Sequence, residues 1–414
     1  GSKAFRIDHP VEGVLFLETG LRLPGNAAFK PINAMVAYER CAGGAVFSSN
    51  MAQCAGAAVG ARITIRFLDH EIVHFSMVPG HGQPHNRDVI APDSRAVIYN
   101  GSNDMPITVT DLGDRVELAS EKICVIVNKN PFTVDYARVQ AVIASSSVGW
   151  LGLGAACRNK IKADEHFYAF GEKTGYLDKR GQRLEMWNTD VNPYLQSTDC
   201  LYMSIPFYIA HSDADAGAYG VFLDSPGRTS FDVGKAEPEI LSMATRERRL
   251  NYYFFAGPRL ADVVEQYTRL TGRMALPPLW SLGYHQSRYS YSPQARVEEV
   301  AAALRKNEIP CDVIHLDIHY MDGFRVFTFD PKHFPDPRAM CDKLGKMGFR
   351  TVSIVDPGVK IDAEYGPYLR GMAGNHFVRK ADGQPVMVEV WPGEVHLPDF
   401  LKEGTREWWS EEHA

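Results

Sequence analysis

Val313-Ile314-His315-Leu316-Asp317-Ile318 decides the fold of the second half of this chain. Six mostly apolar residues are too few for a buried helix and suit a strand covered on both faces. Upstream, Ser292 reads as a helix cap with Pro293 at the first helical position. Val297, Val300 and Leu304 fall on one stripe before Pro310 stops that helix. Downstream, Asp336 and Pro337 open a second helix with Met340, Leu344 and Met347 on one face and Gly348 at its end. Residues 351–356 follow as another buried strand, and 279–285 is a third strand candidate. The three starts lie 34 and 38 residues apart, the size of a βα unit. Parallel strands alternating with helices fit either a barrel or a doubly wound sheet, and spacing by itself leaves both open.

Before residue 258 the period is different. Ile63-Thr64-Ile65-Arg66-Phe67 alternates apolar and polar, as do Val73, Phe75 and Met77. Short strands at 107–109, 116–118 and 123–127 are separated by turn signals at Asn100-Gly101, Leu112-Gly113-Asp114 and 128–131. That spacing predicts an antiparallel β-sandwich over residues 1–257. Asn100-Gly101-Ser102 fits a glycosylation acceptor but reads as a turn. Leu260 to Thr271 reads as a helix closed by Gly272, and Leu276-Pro277-Pro278 is a stiff entry into the βα region, which occupies 258–414. The stretch from about 357 to 405 is too long for a βα loop and reads as a functional insert or lid. Trp408-Trp409 reads as the core-facing part of a final helix.

Composition narrows the function. Lys and Arg total 44 against 50 Asp and Glu, a net charge of −6, which argues against a nucleic-acid binder. No run approaches the roughly 18 apolar residues of a membrane span. Seven cysteines, an odd number without a Cys-x-x-Cys pair, suggest free thiols rather than disulfides or a zinc site. Gly1-Ser2-Lys3-Ala4 lacks the features of a signal peptide, and with free thiols the expected location is cytoplasmic. No metal or cofactor is expected. His81 and His85 share a Gly/Pro loop without a third ligand, and Gly152-Leu153-Gly154 lacks the third glycine of a dinucleotide fingerprint.

Two strands finish on a carboxylate, Asp317 and Asp356. In either parallel architecture the C-terminal strand ends carry the site. One such Asp is commonly a cap; two on consecutive strands favour a ligand site. Tyr289, Tyr291, Tyr320, Phe324 and Trp391 gather in adjoining loops. Carboxylates accept hydrogen bonds from hydroxyls while aromatic faces cover C–H surfaces, a combination suited to a sugar. Phe324 and Tyr291 read as loop packing.

Several segments in order resemble glycoside hydrolase family 31, the retaining α-glucosidase family. They are Phe170-Gly171-Glu172-Lys173, Met186-Trp187-Asn188-Thr189-Asp190, Leu276-Pro277-Pro278-Leu279-Trp280 and Gly283-Tyr284-His285-Gln286. Next come Leu316-Asp317-Ile318-His319-Tyr320-Met321-Asp322, Ile354-Val355-Asp356-Pro357-Gly358, Val390-Trp391-Pro392-Gly393 and Pro398-Asp399-Phe400. The resemblance implies a galactose-mutarotase-like β-sandwich followed by the first three units of a (β/α)8 TIM barrel, with the insert after strand three. It also implies roles. Asp317 accepts hydrogen bonds from distal hydroxyls of the −1 sugar, and Ile318 and Ile354 line its apolar wall. Trp391 closes the pocket from the insert, Asp190 reaches the −1/+1 boundary from the sandwich, and Tyr289 lies at the +1 side. Asp356 reads as holding the loop after strand three; Glu172 and Arg288 serve equally well as scaffold ions.

The family's nucleophile motif, Trp-x-Asp-Met-Asn-Glu after the fourth strand, does not occur in this sequence, and the acid/base aspartate of relatives follows the sixth strand. The expectation is therefore that neither catalytic carboxylate lies in the chain, that both follow Ala414, and that the rest of the barrel is a continuation or second polypeptide. The partners implied are an α-glucoside or oligosaccharide and that remaining half. The alternatives are a non-catalytic sugar-binding or regulatory fragment, a related α-xylosidase or α-galactosidase, and an enzyme using Asp317 with Asp356 as its own pair. Many relatives carry Asp where this chain has His319, which leaves substrate preference open.

Overall fold

The computed structural model describes residues 29–49, 52–54, 57–80, 95–102, 105–138, 141–152, 154–213, 217–391 and 393–414. His81 and His85, as well as Leu153 and Pro392, lie outside the described residues. The chain divides into two units, Gly1–Met274 and Ala275–Ala414. The change of period at residue 258 and this division differ by one helix, Leu260–Thr271, which packs within the first unit.

The first unit is a sandwich of two antiparallel sheets. One runs, in spatial order, Arg183–Met186, Thr229–Val233, Ile240–Thr245, Gly154–Lys160, Ala141–Leu151, Phe132–Arg138, Cys124–Lys129, Arg115–Ala119 and Thr108–Asp111, with Lys30–Pro31 paired to Ala141–Leu151. The other runs Glu165–Ala169, Phe207–Ser212, Gly217–Leu223, Leu250–Phe255, Ile72–Pro79, Ala61–Phe67, Gly44–Ser49 and Met35–Cys41. Alternation decides what each strand buries. Ile63, Ile65 and Phe67, with Val73, Phe75 and Met77, enter the inter-sheet core beside Val116, Leu118, Val125 and Val127. Tyr136 and Tyr252 place their hydroxyls 3.0 Å apart inside it, and the Asn159 amide donates to the Tyr208 hydroxyl at 2.8 Å, so these interior polar groups are partnered.

Asn100-Gly101 lies in irregular backbone with no turn assigned, though Gly101 is left-handed. Gly101 has φ +69°, and a Cβ there would lie 2.5 Å from the Leu68 carbonyl oxygen, which excludes other residues on two counts. The helix Leu260–Thr271 buries Val263, Gln266 and Leu270 against Phe207, Phe222 and Phe255 on the outer face of the second sheet. Gln266 fixes its approach: its Oε1 accepts from Gly257 N and its Nε2 donates to Gly257 O, both at 3.1 Å.

In the second unit three strands pair in parallel: His285–Gln286, Val313–Leu316 and Arg350–Ser353. The 279–285 strand expectation is corrected. Leu279–Leu282 is a 3-10 turn, and only the two residues His285–Gln286 are strand. Pro277 and Pro278 cannot donate to a ladder, and the Leu279/Leu282 spacing matches a turn of helix. The other two strands stop two to three residues earlier than the apolar runs suggest; the first of them ends where Asp317 turns the chain by capping the 3-10 turn Ile318–Tyr320. Helix Gln294–Lys306 has Pro293, not Ser292, at its N-cap, without a side-chain cap. Helix Pro337–Lys346 is capped as expected, with the Asp336 carboxylate accepting from Ala339 N at 2.9 Å. Val297, Met340 and Leu344 are completely buried with Ile314, Leu316 and Trp408, the last from the final helix Glu403–His413.

Residues 357–405 contain a three-stranded antiparallel sheet, ordered Val359–Lys360, Gly393–His396, Met387–Val390, and the helix Gly366–Ala373. This insert is tied to the loop after the second parallel strand at three points. Arg325 donates twice to Asp362 Oδ2 at 2.9 and 2.7 Å, Lys360 Nζ to Gly323 O at 2.8 Å, and the Tyr365 hydroxyl to Val326 O at 2.5 Å.

Candidate functional site

Alternation along Val313–Leu316 places Ile314 and Leu316 in the helix-side core, so Val313, His315 and, through the extended backbone at its end, Asp317 face the opposite side. The Asp317 Oδ1 accepts from Ile318 N at 2.8 Å, which fixes the carboxylate at the strand tip. Asp356 lies close enough to feel it: burial first, and the Asp317 charge second, push the Asp356 carboxyl above its usual range. The two loops are locked together beneath these groups. The Tyr320 hydroxyl donates to Ile354 O at 2.8 Å, and Ile354 N donates to Leu316 O at 3.0 Å.

Two residues beyond Asp317, His319 joins a group of rings. His319 meets Tyr289 edge-on at 5.0 Å and Phe324 edge-on at 5.4 Å, and Tyr289 lies 6.4 Å from Trp391. Ser290 Oγ hydrogen-bonds His319 Nδ1 at 2.7 Å. Trp391 and Tyr289 are 66% and 64% exposed, open to a ligand. Trp391 sits at the tip of the hairpin between Met387–Val390 and Gly393–His396. Ile354 is partly exposed, whereas Ile318 is buried in the helix-side cluster. One unit thus joins His319, Tyr289 and Trp391 in one ring group and sets Asp356 close to Asp317. Asp190 belongs to the first unit, on the exposed segment after Arg183–Met186, where its Oδ1 accepts from the Tyr202 hydroxyl at 2.7 Å. Glu172 accepts from Met203 N at 3.0 Å, and the Arg288 guanidinium lies 5.9 Å from the Tyr291 ring; both have structural partners.

Sequence reasoning missed Ser290 and a histidine pair. His285 Nδ1 and His315 Nε2 lie 3.1 Å apart across neighbouring parallel strands, and burial, then His285, hold the His315 imidazole below its usual pKa. The available signal was His285 and His315 on two consecutive strands, but only the register places them side by side. Among the described residues no three His, Cys, Asp or Glu side chains are placed to hold a metal, and no helix is long and apolar enough to cross a membrane.

Comparison with known proteins agrees with this architecture. Residues 274–414 match the family model "Glycosyl hydrolases family 31 TIM-barrel domain" and residues 62–232 match "Glycosyl hydrolase 31 N-terminal galactose mutarotase-like domain". Alpha-glucosidase 2 of Bacillus thermoamyloliquefaciens is 40% identical over 357 residues, 85% of this chain and 44% of that protein. An alpha-glucosidase of Saccharolobus solfataricus is 37% identical over 293 residues, 69% of this chain and 42% of that protein. Among solved structures, a Flavobacterium johnsoniae GH31 dextranase complexed with glucose superposes with a TM-score of 0.79 at 25% identity, covering 92% of this chain and 46% of the other. The chain spans less than half the length of each of these relatives. With models for both of its parts matched in sequence order, the chain belongs to glycoside hydrolase family 31.

Proposed function

We infer that this chain supplies the glycone-binding part of a retaining glycoside hydrolase acting on α-glucosides, with both reacting carboxylates on polypeptide that follows Ala414. The three parallel strands are the first of a (β/α)8 barrel, and the insert is its extension after strand three. The observation that carries the reading is the carboxylate fixed at the strand tip, Asp317, with the linked rings of His319, Tyr289 and Trp391 beginning two residues beyond it. A sugar there gives its distal hydroxyl hydrogens to Asp317 and lays C–H surface against the rings. Exposed Ile354, rather than Ile318, which is buried in the helix-side core, shapes the apolar wall, and Tyr289 takes the +1 side.

The chemistry needs no cofactor. One carboxylate attacks the anomeric carbon while a second, roughly 5–5.5 Å away, protonates the departing oxygen. The glycosyl–carboxylate bond is then broken by water or by another sugar hydroxyl, which gives its proton back to the second carboxylate.

The test is turnover of an aryl α-glucoside by the 414-residue chain, by itself and joined to the downstream polypeptide. No turnover by the chain and turnover when joined is the expected result. Turnover by the chain itself would overturn it in favour of Asp317 and Asp356 as the reacting pair. Binding without turnover in the joined protein would make it a sugar-binding fragment. In the joined enzyme, Asp317→Asn should lower kcat/KM by about 2–4 kcal/mol of transition-state binding, since charge-assisted hydrogen bonds to the sugar are weakened. An aryl α-xyloside, which lacks the hydroxymethyl group, should react more slowly than the glucoside.

A further inference from the structure

The strand Arg183–Met186 pairs with Thr229–Val233, Met186 opposite Thr229. One step beyond that rung, Trp187 and Arg228 meet on the side away from buried Met186. Glu185, two residues before Trp187, holds Arg228 at two points, Nε to Oε1 and Nη2 to Oε2, each 2.5 Å. The guanidinium carbon lies over the indole, 5.5 Å from its ring centre. A clamped planar cation covering one face fixes the tilt of the ring, yet Trp187 is still 48% exposed. The ring borders a cavity of about 310 Å³ lined also by Asn188, Ser204, Pro206, Ser225 and Gly227, at the small end of the roughly 300–1,000 Å³ typical of ligand pockets.

The lining defines what fits. Glu185 neutralises Arg228, so the wall offers no net charge to an ion. A purely hydrocarbon ligand would strip water from the Asn188 amide and the Ser204 hydroxyl without replacing it. A neutral ring with one C–H face and peripheral hydroxyls satisfies both the indole and the polar groups. The geometry points to a pyranose-binding site on the sandwich, in which one glucosyl unit of an α-linked oligosaccharide rests on Trp187 and hydrogen-bonds Asn188. The choice of glucose rests on the function proposed above; the pocket itself asks only for a neutral pyranose.

The experiment uses the 414-residue chain labelled with 5-fluorotryptophan and titrated with maltotriose, following its six tryptophans by fluorine NMR. Trp187→Phe assigns the Trp187 signal. That signal should shift saturably, should still do so in Asp317→Asn, and in Asn188→Ala should need about fivefold more sugar for half-saturation, the worth of one neutral hydrogen bond. A stationary Trp187 signal overturns the inference, and so does a shift unaltered by Asn188→Ala. Movement at Trp391 without movement at Trp187 removes this site and leaves the Asp317 pocket standing. Failed turnover in the joined enzyme with the Trp187 shift intact removes the proposed activity and leaves this site.

Discussion

In the sandwich, Phe47, Phe75, Tyr136, Trp150 and Tyr252 are at most 1% exposed, whereas in the 275–414 unit Leu276, Leu279 and Leu282 stand 94%, 85% and 70% exposed. The same kind of side chain meets two different fates. Two antiparallel sheets cover each other's inner faces, so the sandwich closes on its own residues. Three parallel strands receive helices on one side, and their outer strands, His285–Gln286 and Arg350–Ser353, are each paired on one edge among the described residues. Parallel sheets are normally covered on both faces, so completeness of burial separates the sandwich, which closes on its own residues, from the βα unit, whose sheet is covered by helices on one face.

The contrast can be broken most severely in the sandwich. Phe75 is fully buried and stacks on Tyr252 at 4.7 Å; Phe75→Ala should cost about 3–5 kcal/mol, measured by urea unfolding of the 414-residue chain. A loss below 1 kcal/mol would mean that the inter-sheet core is not the main source of stability.

A buried histidine gives the second test. His74 Nε2 lies 2.5 Å from Asn251 Oδ1, and the Asn251 amide donates to Asp224 Oδ2 at 3.1 Å. Burial holds His74 down to about 4, with the Arg249 and Arg66 charges lowering it further and the Asn251 bond opposing them. The unfolded chain, with an ordinary pKa near 6.5, therefore binds a proton that the native state refuses. Stability should be unaffected by this group above pH 6.5 and fall as pH drops from there toward 4, by about 3 kcal/mol in all. His74→Gln should flatten that part of the profile, and an unchanged slope would remove His74 as its source.

In the parallel unit the effects are smaller and concern the site. Asp317→Asn should move the Asp356 carboxyl back toward the ordinary range, because Asp317's charge is one of the two causes raising it; carboxyl carbon shifts followed by NMR against pH report this directly. Smallest of all, Leu279→Ser in the 414-residue chain should change stability by no more than about 0.5 kcal/mol. A distinctly larger loss in the chain joined to the polypeptide proposed to follow Ala414 would identify this segment as one that the added residues cover.

The sandwich was readable because Ile63, Ile65 and Phe67 obey a strict alternation that the inter-sheet core enforces. The helix stripes at Val297 and Met340 were readable for the same reason, with the helical period. The segment 279–285 misled because two leucines three residues apart, following two prolines, support a single helical turn as well as a strand. The small sheet of the insert was not legible: strands of two to four residues are too short to show a period. In the site, Asp317, Tyr289 and Trp391 were picked out by motif, but the hydrogen bond of Ser290 to His319 and the pairing of His285 with His315 depend on register and loop path, which no local pattern encodes.

The three ties between the insert and the loop after the second strand, at Asp362, Lys360 and Tyr365, all lie before the hairpin that carries Trp391. The hairpin is thus a cantilever, anchored at the root and unburdened at the tip. Residues near Trp391 can be exchanged without loosening the anchor, so the tip is free to vary while the scaffold beneath goes on folding as before.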